Sequence, residues 1–523
     1  MSQPVQHRSS LCLIGALALL SACGEVNPVM PPSVPTGAQT GVNSNASTAK
    51  SCQKNGWQGL VTSTGSSFAS ETACVSYGAQ GGVLYRKQTI TFTALAAKTF
   101  GDADFSVNAT ASSGLTVTFT ASGNCTVTGA TVHLTGAGSC TVTAHQAGDA
   151  TWFAAADVVR QFAIAKGTQT VAFTSASPSL TLVGAPTYTP VAAASSGLSV
   201  AITLDAASTG CSLTDGVVSF IGAGVCVIDA NQAGNGDWNP AAQQRQSITV
   251  YGCVSTEAQL RYVALVGGTY DFCAAAKVVL TGGEVVVGST LSLTGVGGAN
   301  AVIDANKTGR VLNVPGHLTL RDVTVTGGQT LGDGGGVALT TGGSLVLNGN
   351  SAIDGNAAYN AAGVWMQART TMTMNDASTV SNNIANRIGS PGIATGQAGG
   401  VYVRFGSTLT MNGTSTVRKN SATGSDISGG GVLINEGAVV MNGSSAITEN
   451  FTGQGGGVFF TNNGSLTLNA SASITGNAAT VDGGGIFRAD LGGGTIAGVT
   501  ATNVSGNAPN NCGGWTAVAG CVN

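Results

Sequence analysis

The sequence predicts an almost all-β protein in which small β-sandwiches are followed by a parallel β-helix. Three observations indicate this fold class. Glycine contributes 78 of the 523 residues and charged residues only 8%, a composition that suits strands and tight turns better than helices. Runs such as LTVTFTA (115–121) alternate with the period of two that strands show. One ten-residue phrase occurs five times in the C-terminal half, as stacked-repeat architectures require.

The repeated phrase predicts the turns of the β-helix. It reads LNGNSAIDGN at 347–356 and returns as MNDASTVSNN, MNGTSTVRKN, MNGSSAITEN and LNASASITGN. A glycine-rich segment precedes each copy, and a sixth follows the last copy; the residues directly after these glycines are Val337, Val364, Val401, Val432, Val458 and Ile486. Each interval holds three short strand-like pieces, which predicts three strands per turn, each pairing with the turns above and below.

Equivalent residues of the repeats form columns. Alternation directs two apolar columns inward, and their methionines are interpreted as core filling rather than as metal ligands: Leu345, Met372, Leu409, Val439 and Leu466, then Leu347, Met374, Met411, Met441 and Leu468. Two asparagine columns fall where the chain must turn, because asparagine tolerates left-handed backbone and its amide can bond the next turn: Asn348, Asn375, Asn412, Asn442 and Asn469, then Asn356, Asn383, Asn420, Asn450, Asn477 and Asn507.

Residues 1–23 are predicted to be a targeting segment. Arg8 precedes the apolar run LCLIGALALL (11–20), which is too short to span a bilayer. The following LSAC (20–23) resembles the lipobox of bacterial lipoproteins. This resemblance implies that Cys23 becomes a lipidated N-terminus delivered to the outer membrane; the alternative is an ordinary signal peptide cleaved near Ala22. Residues 24–50 are interpreted as a flexible tether.

Ten further cysteines fall into five local pairs, which predicts disulfide bonds in an exported chain and leaves their connectivity open. Two pairs have identical gaps of fourteen residues. Residues 51–86 are expected to form a small module that depends on its disulfide, with Trp57 and Phe68 as its apolar anchors. The cysteines are Cys52, Cys74, Cys125, Cys140, Cys211, Cys226, Cys253, Cys273, Cys512 and Cys521.

Residues 87–166 and 167–250 are two copies of one domain. SSGL occurs at 112 and 195, GAGSC is matched by GAGVC, and QAGDATW by QAGNGDW. The copies resemble the Ig-like repeats of bacterial extracellular proteins, which implies β-sandwich spacers. Trp152 and Trp238 are interpreted as structural aromatics, with ligand stacking as the alternative.

Residues 251–523 resemble the repeat part of the polymorphic outer-membrane protein family, on GGGV and on tetrapeptides such as IDGN, VRKN and ITEN. Here Ile or Val stands where that family has Phe. The resemblance implies a right-handed parallel β-helix and a surface protein or adhesin. The predicted fold class is therefore all-β, with two Ig-like β-sandwiches followed by a right-handed parallel β-helix.

Enzymatic chemistry is the competing hypothesis, because parallel β-helices also carry polysaccharide lyases and glycoside hydrolases. The candidate carboxylates, spread over different coil positions, are Asp304, Asp322, Asp333 and Asp354, whereas a hydrolase needs two carboxylates facing one cleft. Arg310 and Arg321 could serve a lyase, although the alternating LTLRDVTVTGG places Arg321 on a solvated strand face. LGDGGG (331–336) leaves a calcium turn open. No cofactor, metal or catalytic residue is predicted.

A binding stripe is the favoured functional hypothesis. If Val401 and Val403 point inward, Tyr402 and its equivalents form an outward aromatic row flanked by two arginines: Trp365, Leu433, Phe459 and Phe487, with Arg404 and Arg488. The alternative is that glycine loops cover the row or that it fills the core. An exposed row would suit a glycan or a surface protein.

The sequence thus predicts an exported, lipid-anchored outer-membrane protein on the cell surface, adhesin-like or glycan-binding and non-catalytic. A β-helix polysaccharide lyase or glycoside hydrolase is the alternative. The net charge of −3, from 20 basic and 23 acidic residues, disfavours nucleic acid as a partner.

Overall fold

Almost all regular structure in the computed structural model is β-strand, so the all-β prediction is confirmed. The structure describes residues 45–340, 342–386, 396–423, 429–489 and 493–523. The predicted signal segment and Cys23 lie outside these residues. Two compact units are present: the first holds the described residues up to Ala96 with Ala103–His133 and Ser139–Phe162, and the second holds the rest. None of the described helices is long and apolar enough to cross a membrane.

The first unit begins with a small helical module. Helix α1 (Asn45–Ser51) and helix α2 (Glu71–Ala79) flank a 3-10 turn (Gly56–Gly59) and two short paired strands, Leu60–Val61 and Tyr85–Arg86. Ser70 caps α2 by accepting the backbone N–H of Ala73 at 3.1 Å. The tether was predicted to run to residue 50, but α1 occupies its last six residues, because α1 packs against Gly78 of α2 and is held by the Cys52–Cys74 disulfide directly after it.

Two strand-rich segments follow and form the β-sandwiches. Strands of the first run over Ile90–Phe92, Lys98–Thr99, Phe105–Ser106, Ala109–Ala111, Thr118–Gly123, Cys125–Thr128, Thr131–Leu134, Gly138–His145 and Val158–Ala165. Strands of the second run over Val171–Phe173, Thr181–Leu182, Ala192–Ala194, Ala201–Leu204, Cys211–Thr214, Val217–Phe220, Gly224–Asn231 and Gln244–Tyr251. Each contains one disulfide, Cys125–Cys140 and Cys211–Cys226.

The parallel β-helix makes about eight turns over residues 268–514. Three parallel sheets of nine strands each run along it, as the three strand-like pieces per repeat predict. The first sheet consists of Gly268–Asp271, Thr290–Thr294, His317–Arg321, Ser344–Asn348, Thr371–Met374, Thr408–Met411, Ala438–Met441, Ser465–Leu468 and Thr495–Ala497. The second consists of Lys277–Val279, Ala301–Asp304, Val323–Thr326, Ala352–Asp354, Thr379–Ser381, Thr416–Arg418, Ala446–Thr448, Ser473–Thr475 and Val504–Ser505.

The third sheet consists of Val285–Val286, Leu312–Val314, Val337–Leu339, Val364–Met366, Val401–Arg404, Val432–Asn435, Val458–Thr461, Ile486–Arg488 and Cys512–Gly514. A fourth sheet of six strands was not predicted: Gln329–Asp333, Ala357–Asn360, Ile384–Ala385, Ser421–Ala422, Phe451–Gln454 and Ala478–Asp482. These pieces are short and partly bulged, so they leave little alternation for a sequence pattern to detect.

The predicted apolar columns are confirmed. Leu345, Met372, Leu409, Val439 and Leu466 are direct strand partners, as are the residues two positions on. All ten side chains belong to one continuous buried core. Because each turn covers the apolar residues of its neighbours, no single repeat could bury this surface alone.

The asparagine columns form two ladders. In the first, each Nδ2 donates to the Oδ1 of the preceding turn, for example Asn412 to Asn375 at 2.8 Å. In the second, the direction is reversed and the amides are buried: Asn383 Nδ2 donates to Asn420 Oδ1 at 2.9 Å. Asn420 Oδ1 also accepts the backbone N–H of Asn383, and its Nδ2 donates to the Val380 carbonyl. Both polar atoms of the Asn420 side chain therefore have protein partners.

The buried ladder depends on the glycines of the GGV segments. A Cβ on Gly400 would lie 3.0 Å from Asn420 Nδ2 and 2.4 Å from the Gly431 carbonyl oxygen. The same close approach recurs at Gly431 against Asn450 and Gly457 against Asn477. The GGV glycines and the asparagines of the second column therefore depend on each other, because a side chain at the glycine would occupy the space of the amide.

Both ends of the β-helix carry the predicted disulfides, Cys253–Cys273 and Cys512–Cys521. At the N-terminal end, helix α3 (Glu257–Val266) places Leu260, Val263 and Ala264 in the main core. Thr256 and Gln259 form a capping box at its start. Glu257 accepts hydrogen bonds from the backbone and hydroxyl of Thr281, from the backbone N–H of Gly282 and from Arg261, which ties the helix to the first turn.

We expect Asn420→Ala to lower the free energy of unfolding by about 2–4 kcal/mol, because it leaves buried backbone and amide groups of Asn383 and Val380 unpaired. The matched variant Asn412→Ala removes hydrogen bonds at a partly exposed corner and should cost about 0.5–1.5 kcal/mol. Denaturant unfolding of the full-length protein, followed by circular dichroism, measures both. Equal losses would contradict a special role for the buried ladder.

The carboxyl of Glu257 should make the free energy of unfolding fall at acid pH. Burial raises the pKa of Glu257, but the hydrogen bonds from Thr281, Gly282 and Arg261 outweigh it and lower the pKa from 4.5 to about 2. A lowered pKa stabilises the folded state above pH 4.5, and this contribution is lost as the pH falls from 4.5 towards about 2. Melting temperatures measured across this range should fall less steeply for Glu257→Gln, which has no carboxylate to protonate. Superimposable profiles would contradict the assignment.

Candidate functional site

The predicted binding stripe lies on the third sheet. Strand pairing aligns Trp365, Tyr402, Leu433, Phe459 and Phe487 in one column. Their neighbours Val401 and Val403 point into the main core, whereas Tyr402 and its equivalents form a separate cluster on the opposite side of the strands.

The predicted solvent exposure of this stripe is wrong. Tyr402 is 6% exposed, Leu433 0%, Phe459 2% and Phe487 3%, and Trp365 is partly buried. The chain passes directly over them just before each third-sheet strand: Ala361 and Ala398 belong to the same cluster. A Cβ on Gly455 would lie 2.9 Å from that of Phe459. Four members of the stripe are therefore a second core, as the covering-loop alternative proposed.

Trp365 is the one member of the stripe that is only partly buried. The guanidinium of Arg404 packs against its ring. The Arg404 guanidinium carbon lies 4.6 Å from the ring centroid of Trp365, 5.3 Å from that of Tyr402 and 4.6 Å from that of Phe405. Trp365 and Tyr402 pack edge to face at 5.0 Å. Phe405 is 41% exposed. We call Trp365, Tyr402, Arg404 and Phe405, together with Asn435 and Asn462, the Arg404 cluster.

The backbone positions these side chains rigidly. Arg404 ends a third-sheet strand and pairs with Asn435 of the next turn. Asn462 Nδ2 donates to Asn435 Oδ1 at 2.6 Å, and Asn435 Nδ2 donates to the Tyr402 hydroxyl at 3.3 Å. Phe405 has a φ of 34°, which turns the chain out of the strand and carries its ring to the surface. The cluster thus offers aromatic rings, a cation and amides on one rigid side of the β-helix.

Sequence reasoning found Trp365, Tyr402 and Arg404 but missed Phe405, Asn435 and Asn462. The signal available was VRFG (403–406), in which an aromatic residue stands after the last strand position and before a glycine. Arg488 does not join the cluster; its guanidinium lies 5.8 Å from the Phe460 ring and donates to the Gly494 and Ala517 carbonyls.

The exposed large apolar side chains of the β-helix include a row on the fourth sheet rather than on the third. Ile384 and Phe451 lie in one strand column and are 43% and 50% exposed. Leu331 and Val481, in the bulged strands, are 73% and 58% exposed. Ile384 and Phe451 directly follow residues of the second asparagine column. Their position in the repeat could therefore be read from the sequence, but their exposure could not.

The candidate catalytic carboxylates are occupied by structural contacts. Asp304 pairs with Lys277 at 3.0 Å, and Asp322 accepts the backbone N–H of Asn350 at 2.8 Å. Asp333 accepts from Asn360 Nδ2, and Asp354 accepts from Ser381 and Asn382. Arg310 pairs with Glu284 and donates to the Asp333 carbonyl. In the part of the chain that the structure describes, no group of three or more His, Cys, Asp or Glu is placed to hold a metal ion.

The two repeated tryptophans make structural contacts. Arg86 lies 5.6 Å from the Trp152 ring, and Trp238 packs edge to face on Phe100 at 5.3 Å. Trp152 thus contacts the residue directly before its own domain copy, and Trp238 contacts a residue of the previous copy.

Comparison with known proteins gives no family. No protein-family model and no curated protein matches the chain. Among solved structures, the crystal structure of Drosophila N-cadherin EC1-4 matches at 13% identity and a TM-score of 0.18, over 32% of this chain and half of that chain.

We expect Tyr402→Ala to lower the free energy of unfolding by about 3–5 kcal/mol, since it empties a buried site. Phe405→Ala should cost less than about 1 kcal/mol, because that side chain is 41% exposed and not part of a core. Denaturant unfolding of the two variants distinguishes core from surface within one cluster. A comparable loss for both would contradict the exposed position of Phe405.

Proposed function

We propose that this chain is an exported, non-catalytic surface protein that binds a glycan through the Arg404 cluster. One observation carries the proposal: an exposed aromatic ring, a stacked guanidinium and a row of side-chain amides lie together on the side of a rigid β-helix. Aromatic rings pack against the C–H faces of sugars, and amides and guanidinium groups bond their hydroxyls.

The rest of the chain supports a display role. Five disulfides favour an oxidising, extracytoplasmic location. The β-sandwiches and the β-helix follow one another along the chain, an order that suits spacers before a binding domain. An acyl anchor on Cys23 in the outer membrane belongs to this proposal and rests on the LSAC sequence. The candidate carboxylates are engaged between turns, which favours binding over catalysis.

The proposal is tested on intact Gram-negative cells that express the full-length protein. Fluorescent dextran, galactan, alginate and polygalacturonate are offered to wild-type cells, to cells shaved with protease, and to cells carrying Phe405→Ala. We expect at least one polysaccharide to bind wild-type cells. Its binding should be lost after protease shaving and in cells carrying Phe405→Ala. Val159→Ser, which changes an exposed apolar residue of the first sandwich, is the matched control and should bind normally.

Three outcomes would contradict separate parts of the proposal. Binding of no polysaccharide, to cells or to purified protein, removes the glycan-binding role. Binding by the purified protein but not by intact cells removes the surface location. New reducing ends or unsaturated uronate absorbance in the incubated polysaccharide favours the lyase or hydrolase alternative.

A further inference from the structure

Arg404 stands out because the edge of its guanidinium has no partner. Its Nε is buried and makes no hydrogen bond. In residues 45–340, 342–386, 396–423, 429–489 and 493–523, no carboxylate forms an ion pair with it. A buried donor of a charged group without an acceptor is costly, so it persists only where surrounding structure holds it in place.

Two other partly buried arginines, Arg261 and Arg310, have hydrogen-bond acceptors. Arg310 binds Glu284 and the carbonyls of Asp333 and Gly334. Arg261 binds Glu257 and the carbonyls of Gly283 and Glu284. Arg404 differs from both, because its buried Nε has no acceptor.

The aromatic rings explain how Arg404 is held without acceptors. Trp365, Tyr402 and Phe405 surround the guanidinium at 4.6–5.3 Å, and such contacts stabilise a cation through the ring faces. The rings thereby cover the faces of the guanidinium, and its Nε is buried, so a ligand can reach it only through the two Nη groups, which make no hydrogen bond to the residues that the structure describes. A stacked, preorganised guanidinium is the geometry that binds a carboxylate with two parallel hydrogen bonds.

The local charge also favours an anion. Arg369 is exposed, and its backbone N–H donates to the Phe405 carbonyl at 3.2 Å, which places it in the adjoining turn. Glu436, in the turn on the other side, accepts the backbone N–H of Gly406 through its carbonyl. The three adjoining turns at Phe405 and Gly406 thus carry two arginines and one glutamate.

From these contacts we infer that the Arg404 cluster recognises an acidic saccharide, with Arg404 binding the carboxylate of a uronic acid residue. The pyranose ring of this residue lies against Phe405. Asn462, which is exposed two turns further along the β-helix, donates hydrogen bonds to the sugar hydroxyls. This inference rests on the glycan-binding function proposed above and adds the ligand's charge to it.

The test compares polygalacturonate oligosaccharides with the same oligosaccharides after chemical reduction of their carboxyl groups, by titration calorimetry on the full-length protein. We expect the reduced form to bind roughly 10- to 100-fold more weakly, the loss of a charge-assisted bidentate contact. Arg404→Gln should lose a similar factor, and Arg404→Lys less, since it keeps the charge but not the fork. Arg418→Gln, which removes an arginine from the second sheet, should bind as wild type.

Each alternative outcome has one reading. Equal binding of native and reduced oligosaccharides, with loss in Phe405→Ala, overturns the carboxylate assignment and keeps the glycan-binding function. Binding of neither form, nor of dextran, galactan or alginate, overturns both. Equally tight binding of a poly-glutamate peptide overturns the saccharide assignment. Unchanged melting temperatures of the Arg404 variants confirm that they fold, and the comparison of the two ligand forms needs no variant.

Discussion

The buried asparagine ladder is the interaction on which the β-helix depends. At each corner between the second sheet and the fourth, the chain turns inside the protein, where its backbone groups cannot reach water. The amide of the next turn solves this problem: Asn450 Oδ1 accepts both the backbone N–H and the Nδ2–H of Asn420. The same amide donates to a strand carbonyl, that of Val417. Without it, several buried polar groups per turn would lack partners.

This ladder constrains the residues around it. Because the amide lies against the Cα of a GGV glycine, the two motifs occur together in the turns that carry the buried ladder, from Asn356 to Asn507. Variation is tolerated elsewhere. The third-sheet strands begin between 25 and 37 residues apart, at Leu312 and Val337 or at Val364 and Val401. Even in the longest interval, the corner is kept, because Ile384 and Ala385, directly after Asn383, still pair with Ala357 and Ala358.

The Arg404 cluster is a consequence of the same stacking. Trp365, Tyr402, Arg404 and Asn435 are brought together from successive turns by strand register, not by a local sequence motif. A rigid side of the β-helix can therefore hold a guanidinium among rings and leave its N–H edge unpaired, a strain that a flexible loop would relieve by moving. Preorganisation of this kind lowers the entropy cost of binding.

The sequence by itself determined the repeating parts. Period-two alternation identified the apolar columns, the two asparagine columns and the three strands of each turn, since identical environments in a stack select identical residues. The spacing of the cysteines indicated the local pairs that the five disulfides join. Alternation also gave the direction of Tyr402 correctly, away from Val401 and Val403.

Only the tertiary structure decided what covers each outward-facing residue. The chain folds back over Tyr402, Leu433, Phe459 and Phe487 just before each strand and leaves Phe405 in solvent. Helix α1 likewise exists because α2 and a disulfide hold it. Alternation specifies which side of a strand a residue occupies, whereas burial depends on what the rest of the chain places on that side.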